Sequence, residues 1–151
     1  MTYNDLRKGR WSSPGHVYTL TFVTRARFPL FEDFSLGRIV VAEMRALYEQ
    51  GVLDSLAFVV MPDHVHWLVT LDHGKLAGIA QTLKGRSARR INKMRQTTGP
   101  VWQPGYYDHA VRADEDLRNQ ARYIVANPLR AGLVASLSDY PLWDSAWLEI
   151  E

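Results

Sequence analysis

Between Val17 and Thr24, Tyr18, Leu20 and Phe22 alternate with Thr19, Thr21 and Val23. A two-residue period carried by β-branched and aromatic residues is the signature of a strand. After a connection containing Pro29 the period lengthens. Leu36, Val40, Met44 and Leu47 recur at helical spacing, with Ser35 placed to cap the start and Gly51 placed just past the end near Gln50. Leu56 to Met61 is nearly all apolar, so a central strand. Pro62-Asp63 interrupts it, and His64 to Leu71 reads as the next strand, close enough in sequence to pair antiparallel. Lys75 to about Arg95 returns to helical spacing, with Leu76, Ala80, Leu83, Ile91 and Met94 on one face and Gly85 as a candidate bend.

Thr97 to Gly105 reads as a loop, and Tyr106 to Arg112 as a fourth strand. On it Tyr107, His109 and Val111 face one way, and Tyr106, Asp108, Ala110 and Arg112 the other. Asp114, Glu115 and Asp116 place acids at the positive end of a third helix, which Pro128 ends or kinks. Trp143 and Trp147 in the tail suggest a return onto the body of the protein. The first six elements follow the β-α-β-β-α-β order of an α+β, ferredoxin-like (RRM-like) antiparallel sheet, with an additional C-terminal helix. Helices would cover one sheet face. Neither a repeat nor a linker interrupts the pattern, so residues 1–151 are expected to form a single domain.

Composition narrows the possibilities. A chain of 151 residues with 46% hydrophobic residues can build one core. With no cysteine, disulfides, thiolate metal sites and cysteine nucleophiles are all excluded. No signal-peptide core opens the chain, and no apolar run approaches the roughly 20 residues of a membrane helix, so a cytoplasmic location is expected. The net charge of +2 is uninformative, but its distribution is not. Between Asp72 and Asp108 there is no acid, while Lys75, Lys84, Arg86, Arg89, Arg90, Lys93 and Arg95 all fall there. Such asymmetry is the footprint of a polyanion. Solvated helix faces usually mix signs.

The chemistry centres on His64 and His66. On a strand they share a face, with Val65 and Trp67 on the other, and two neighbouring imidazoles are two thirds of a metal site. Tyr123 and Asn127 are four apart, one helical turn. If their helix crosses the open sheet face, Asn127 can offer an amide oxygen to the same ion, and Tyr123 stands beside it as a nucleophile. Each piece has a plainer reading alone: polar-face histidines, a half-buried aromatic, a helix terminator before Pro128. They gain weight as a set.

Three stretches resemble one family. Met61-Pro62-Asp63-His64-Val65-His66, Val101-Trp102-Gln103-Pro104-Gly105-Tyr106-Tyr107-Asp108-His109 and the run from Tyr123-Ile124-Val125-Ala126-Asn127-Pro128 to Val134 resemble the REP-associated tyrosine transposases. These belong to the HUH single-strand DNA transposases with one catalytic tyrosine. The resemblance covers roughly residues 15–145. It implies that His64 and His66 are the paired metal ligands, Asn127 the third, and Tyr123 the nucleophile that forms a 5′-phosphotyrosine and frees a 3′-hydroxyl. Many relatives outside the group carry glutamine at the Asn127 position. Magnesium or manganese is the implied cofactor, single-stranded or hairpin DNA from repeated palindromes the implied substrate, and a monomer or homodimer the implied state.

Tyr106 and Tyr107 are rival nucleophiles without a ligand-type residue one turn away; with Trp102 they could instead stack on bases. His109 could touch DNA or pack. Lys84, Arg86, Arg89 and Arg90 are expected to contact phosphates, with Arg112 a further contact; Arg7, Lys8 and Arg10 on an N-terminal arm could reach a groove. Two other functions compete: a non-catalytic nucleic-acid-binding module on the same sheet, and a metal hydrolase in which water attacks. The hydrolase needs a general base, and Asp63, beside His64, would point to the other face if the strand already includes it.

Overall fold

The computed structural model describes residues 17–71, 75–111 and 116–147. The N-terminal arm with Arg7, Lys8 and Arg10, together with Arg112, Asp114 and Glu115, lies outside them. Strand β1 (Val17–Val23) behaves as its alternation requires, with Tyr18, Leu20 and Phe22 buried. Helix α1 (Phe34–Glu49) buries Leu36, Val40, Met44 and Leu47. Its cap is Asp33 rather than Ser35: the Asp33 carboxylate accepts from the Ser35 backbone N–H at 3.0 Å and also from its hydroxyl. Asp and Ser are both good caps, and the residue two positions earlier wins by satisfying two donors. Gly51 takes φ +76° after the helix, the left-handed stop that glycine adopts without strain.

Strands β2 (Asp54–Met61) and β3 (His64–Thr70) form the hairpin around Pro62-Asp63. Helix α2 (Leu76–Arg95) runs through Gly85 without a break. Met94 is 57% exposed, so the apolar stripe of α2 ends at Ile91 rather than at Met94. Strand β4 is shorter than expected (Tyr107–Ala110), and α3 (Leu117–Val125) begins at the Asp116 cap. Pro128 carries no N–H for the α3 ladder; the helix stops at Ala126 and resumes as the single turn α4 (Asn127–Arg130).

The strands form one antiparallel sheet in the order β4-β1-β3-β2-β5. Its first four strands have the ferredoxin-like order. The expected tail return takes the form of a fifth strand, β5 (Trp143–Ser145), on the outer side of β2. Helices α1 and α2 cover the face that carries Leu20, Phe22, Val65 and Trp67. Helix α3 lies on the opposite face, mainly over β2 with β3 and β5 beside it. It seats Ala121, Ile124 and Val125 against the sheet. On that second face the β4 side chains Tyr107 and His109 are exposed. Among the described residues no helix is long and apolar enough to cross a membrane.

Candidate metal centre and nucleic-acid interface

His64 and His66 stand on the α3 face of β3, ring centroids 4.7 Å apart and nearly perpendicular. Each ring is anchored through the same nitrogen. His64 Nδ1 lies 2.7 Å from Asp63 Oδ1, and His66 Nδ1 lies 2.9 Å from Thr21 Oγ1. Thr21 is the cross-strand partner of His66, so the pairing register itself delivers the hydroxyl. An imidazole that gives Nε2 to a metal carries its proton on Nδ1, and an oxygen acceptor there fixes both tautomer and ring plane. Both rings have that arrangement.

Asp63 is held in turn. Arg27 Nε donates to its second carboxylate oxygen at 3.1 Å, and Thr24 binds its backbone carbonyl through N–H and hydroxyl. Ala26 and Arg27 are both left-handed, at φ +56° and +51°. Such backbone costs about 1 kcal/mol or more for residues with a Cβ, and here it turns Arg27 onto Asp63. Burial pushes the Asp63 carboxyl up, but the hydrogen bond and charge of His64, with Arg27 beside it, bring the net shift below the ordinary value. An ionised Asp63 with both oxygens engaged supports His64 and makes a poor general base for a water nucleophile. The strand begins at His64 and does not include Asp63, so the condition under which Asp63 would point to the other face is not met: it belongs to the turn and its carboxylate lies against the His64 ring.

His66 is pulled down to about pKa 4, mainly by burial, then by the neighbouring His64 and by Arg130. Near neutral pH it is therefore an uncharged imidazole, the form that binds metal. Among the described residues no group of three or more His, Cys, Asp or Glu side chains could hold an ion. The donor set on offer is two oriented imidazoles, backed by the Thr21 hydroxyl and the Asp63 carboxylate. It fits a divalent ion that accepts nitrogen, manganese more readily than magnesium.

Helix α3 packs on the sheet face from which this pair emerges, and Asn127 follows just past its end. Gln120, Tyr123 and Asn127 follow i, i+3, i+7 spacing, one stripe along the helix. The stripe starts over β1, where Gln120 Nε2 donates to Thr19 Oγ1 at 3.3 Å. Thr19 is two residues from Thr21, on the same sheet face. Tyr123 is 64% exposed, and the Arg130 guanidinium lies over its ring, 3.8 Å from the centroid. Asn127 is partly buried at the helix break.

The remaining candidates divide by sheet face. Tyr107 and His109 project from β4 on the histidine face, and Tyr107 is 65% exposed. Tyr107 pairs with Thr21, which pairs with His66, so it stands two strand spacings from the pair, roughly 9.5 Å. Trp102 is not available for stacking: it is 5% exposed, packs on Phe22 and Phe31, and donates its indole N–H to Ser87 at 3.0 Å. Tyr106 packs on Phe22 with ring centroids 6.1 Å apart, on the helix-covered side. Lys84 is drawn inward too. Its ammonium donates to the carbonyls of Gln103 and Gly105 at 2.7 and 2.6 Å, and burial lowers its pKa. It ties α2 to the loop before β4. Arg90 pairs with Glu43 of α1 at 2.7 Å. Arg86 and Arg89 remain exposed on α2. Sequence reasoning missed the parts played by Asp63, Thr21, Arg27 and Gln120; only Thr21, a polar residue on the histidine-side alternation of β1, left a readable signal.

The profile of the family described as Transposase IS200 like matches residues 12–127, most of the chain. The chain belongs to that family. Relatives of this chain include a Haemophilus influenzae protein provisionally named a REP-associated tyrosine transposase, 28% identical over 143 residues and covering 84% of this chain and 78% of the relative. An Escherichia coli K12 REP-associated tyrosine transposase is 32% identical over 87 residues, which is 56% of this chain and half of that protein. A solved REP-associated tyrosine transposase bound to a REP hairpin shares the fold with TM-score 0.65 and 25% identity, over 87% of this chain and 78% of that one. A Deinococcus radiodurans protein, provisionally described as a transposase, matches with TM-score 0.51 and 27% identity over 74% of this chain and 88% of its own. The resemblance to REP-associated tyrosine transposases read from the three motifs is thus borne out. The family match ends at Asn127, so Arg130 lies beyond it.

Proposed function

We propose that this chain cuts and rejoins single-stranded or hairpin DNA through Tyr123. The observation that carries the reading is the Gln120–Tyr123–Asn127 stripe, started over β1 on the sheet face from which two imidazoles, each anchored at Nδ1, emerge. The Tyr123 hydroxyl attacks a phosphodiester; its oxygen bonds to phosphorus, the bond to the 3′ oxygen breaks, and the phenol proton is lost as the 3′ oxygen gains one. The products are a 5′-phosphotyrosine and a 3′-hydroxyl, and the reverse step rejoins a strand. His64 and His66, with the Asn127 amide oxygen, would hold magnesium or manganese. That ion, when bound, supplies the Lewis acidity that withdraws charge from the scissile phosphate.

The DNA path follows the exposed groups. Tyr107 and His109 line the open face beside the site. Arg86 and Arg89 lie round the β4 edge on α2, where they meet backbone phosphates. A hairpin engaging both crosses β4. The hairpin-bound relative supports this class of substrate. The packing of α3 on its own sheet supports a site built within one chain, whether the protein is a monomer or a homodimer.

The test is a labelled repeat hairpin with single-stranded flanks, incubated with the protein and manganese and then run on a denaturing gel. A covalent protein–DNA band that vanishes in Tyr123→Phe and persists in Tyr107→Phe is expected. A band lost only in Tyr107→Phe moves the nucleophile to β4. Hairpin binding that survives chelator and His64→Ala, with no covalent band, leaves a binding module without chemistry.

A further inference from the structure

Arg130 has no counterpart among the residues given roles above. It ends α4, the single turn that follows the Pro128 break, and its backbone N–H bonds to Ala126 O at 3.1 Å. From there its guanidinium reaches back over Tyr123, 3.8 Å from the ring centroid. On a straight helix residues seven apart are separated by roughly 10.5 Å along the axis, so a long side chain must be spent on this contact. The guanidinium thus lies against the ring of the proposed nucleophile. Among the described residues no carboxylate forms an ion pair with it. A planar cation with five donors and no acid partner among the described residues, held against the proposed nucleophile, suits one incoming group: a phosphate.

We propose that Arg130 is a catalytic residue of strand cleavage, orienting the Tyr123 ring before attack and donating to a non-bridging oxygen of the scissile phosphate during it. This rests on Tyr123 being the nucleophile. Arg130 keeps its protons throughout; no bond to it forms or breaks. Its contribution is charge and hydrogen bonds where the equatorial phosphate oxygens gain negative charge. Removing one such donor typically slows a reaction about 10²- to 10³-fold. Lysine keeps the charge but loses the flat fork and the stacking.

The experiment measures single-turnover adduct formation on two hairpins, one with an ordinary scissile phosphate and one with an uncharged methylphosphonate there. Hairpin affinity and Tm of each variant are measured alongside. On the phosphate, Arg130→Ala is expected to slow the step about 100-fold with affinity nearly unchanged, and Arg130→Lys to fall between. On the methylphosphonate the Arg130→Ala penalty shrinks at least several-fold, because the charge that Arg130 answers is gone. An equal slowing on both substrates overturns the proposal and reduces Arg130 to a support for the helix turn. So does an unchanged rate with weakened binding. If the unaltered protein forms a Tyr123-dependent adduct and Arg130→Ala matches its rate, Arg130 alone is removed. If the unaltered protein forms no adduct, or one that survives Tyr123→Phe, the cleavage reading itself falls and takes this one with it.

Discussion

Strand β3 presents two chemistries one backbone thickness apart. Val65, Trp67 and Val69 are fully buried beneath α1 and α2, and the Trp67 indole N–H is satisfied by Ser55 at 2.9 Å. Between them His64 and His66 emerge on the other side among hydroxyls, a carboxylate and solvent. The first face follows packing rules, so its residues contribute through excluded water and filled volume. The second is only partly roofed, and its residues contribute through orientation. The contrast explains how the fold keeps a polar, partly exposed constellation in register. The dry side of the same strand fixes the pleat, and a slip of one residue would exchange the two faces entirely.

The sharpest way to break the contrast is to exchange the expected phenotypes. Tyr123→Phe should lower adduct formation by about 10⁴-fold or more, as loss of a nucleophile does, while stability stays within about 0.5 kcal/mol at this exposed position. Trp67→Ala should do the reverse, costing about 3–5 kcal/mol in denaturant melts while the folded fraction cleaves at its normal rate. A destabilised Tyr123→Phe, or a stable Trp67→Ala, would dissolve the division between faces.

A finer test lies within the polar side. Asp63→Asn keeps the size of the side chain but removes the charge that fixes His64 Nδ1–H and holds Arg27. Loss of such an outer partner commonly weakens metal binding 10- to 100-fold. Calorimetric titration with manganese measures it without any DNA. Thr21→Val should weaken binding less, since a neutral hydroxyl rather than a carboxylate is lost. Equal losses would mean that the Asp63 charge plays no special part.

Acid provides a comparison of another kind. His66 is lowered from 6.5 to about 4, chiefly by burial. Between those values the unfolded chain holds a proton that the folded chain refuses, so stability falls as pH drops through the window. The cost is on the order of 2 kcal/mol, allowing for the solvent that reaches part of the ring. Melts in chelator from pH 7 to pH 4 should show that slope, and His66→Asn should flatten it.

How much of this was readable in the chain follows the same division. The packed face was legible: the periods of β1, α1 and β3 place their buried residues correctly, because burial demands periodicity. The histidine pair and the Tyr123–Asn127 spacing were legible because each is a short local pattern. What failed depends on contacts between distant segments. Trp102 and Lys84 carry side chains suited to nucleic acid, yet a Ser87 hydroxyl and two loop carbonyls claim them. The Arg27–Asp63 pair depends on two left-handed residues that no propensity predicts, and β5 is too short for alternation to announce.

That last strand offers the smallest effect and the closest control. The segment leading to β5 is fastened to the back of β2 by Tyr140, whose hydroxyl donates to the Val60 carbonyl, and by Val60 N–H donating to Leu142 O at 2.9 Å. Burial pushes Tyr140 up to about pKa 12. Its contribution is therefore complete below pH 10 and fades as pH rises toward 12, where the unfolded phenol has released its proton and the folded one has not. Tyr140→Phe deletes one buried donor and leaves the Val60 carbonyl a bond short, a loss of about 1–2 kcal/mol in denaturant melts. Val60 is a neighbour in sequence of Val59, which pairs with His66. If Tyr140→Phe also weakened manganese binding, the edge of the sheet would be helping to hold the imidazoles in place. If only stability moves, the polar face is positioned by its own hydroxyl and carboxylate, independently of the strap beside it.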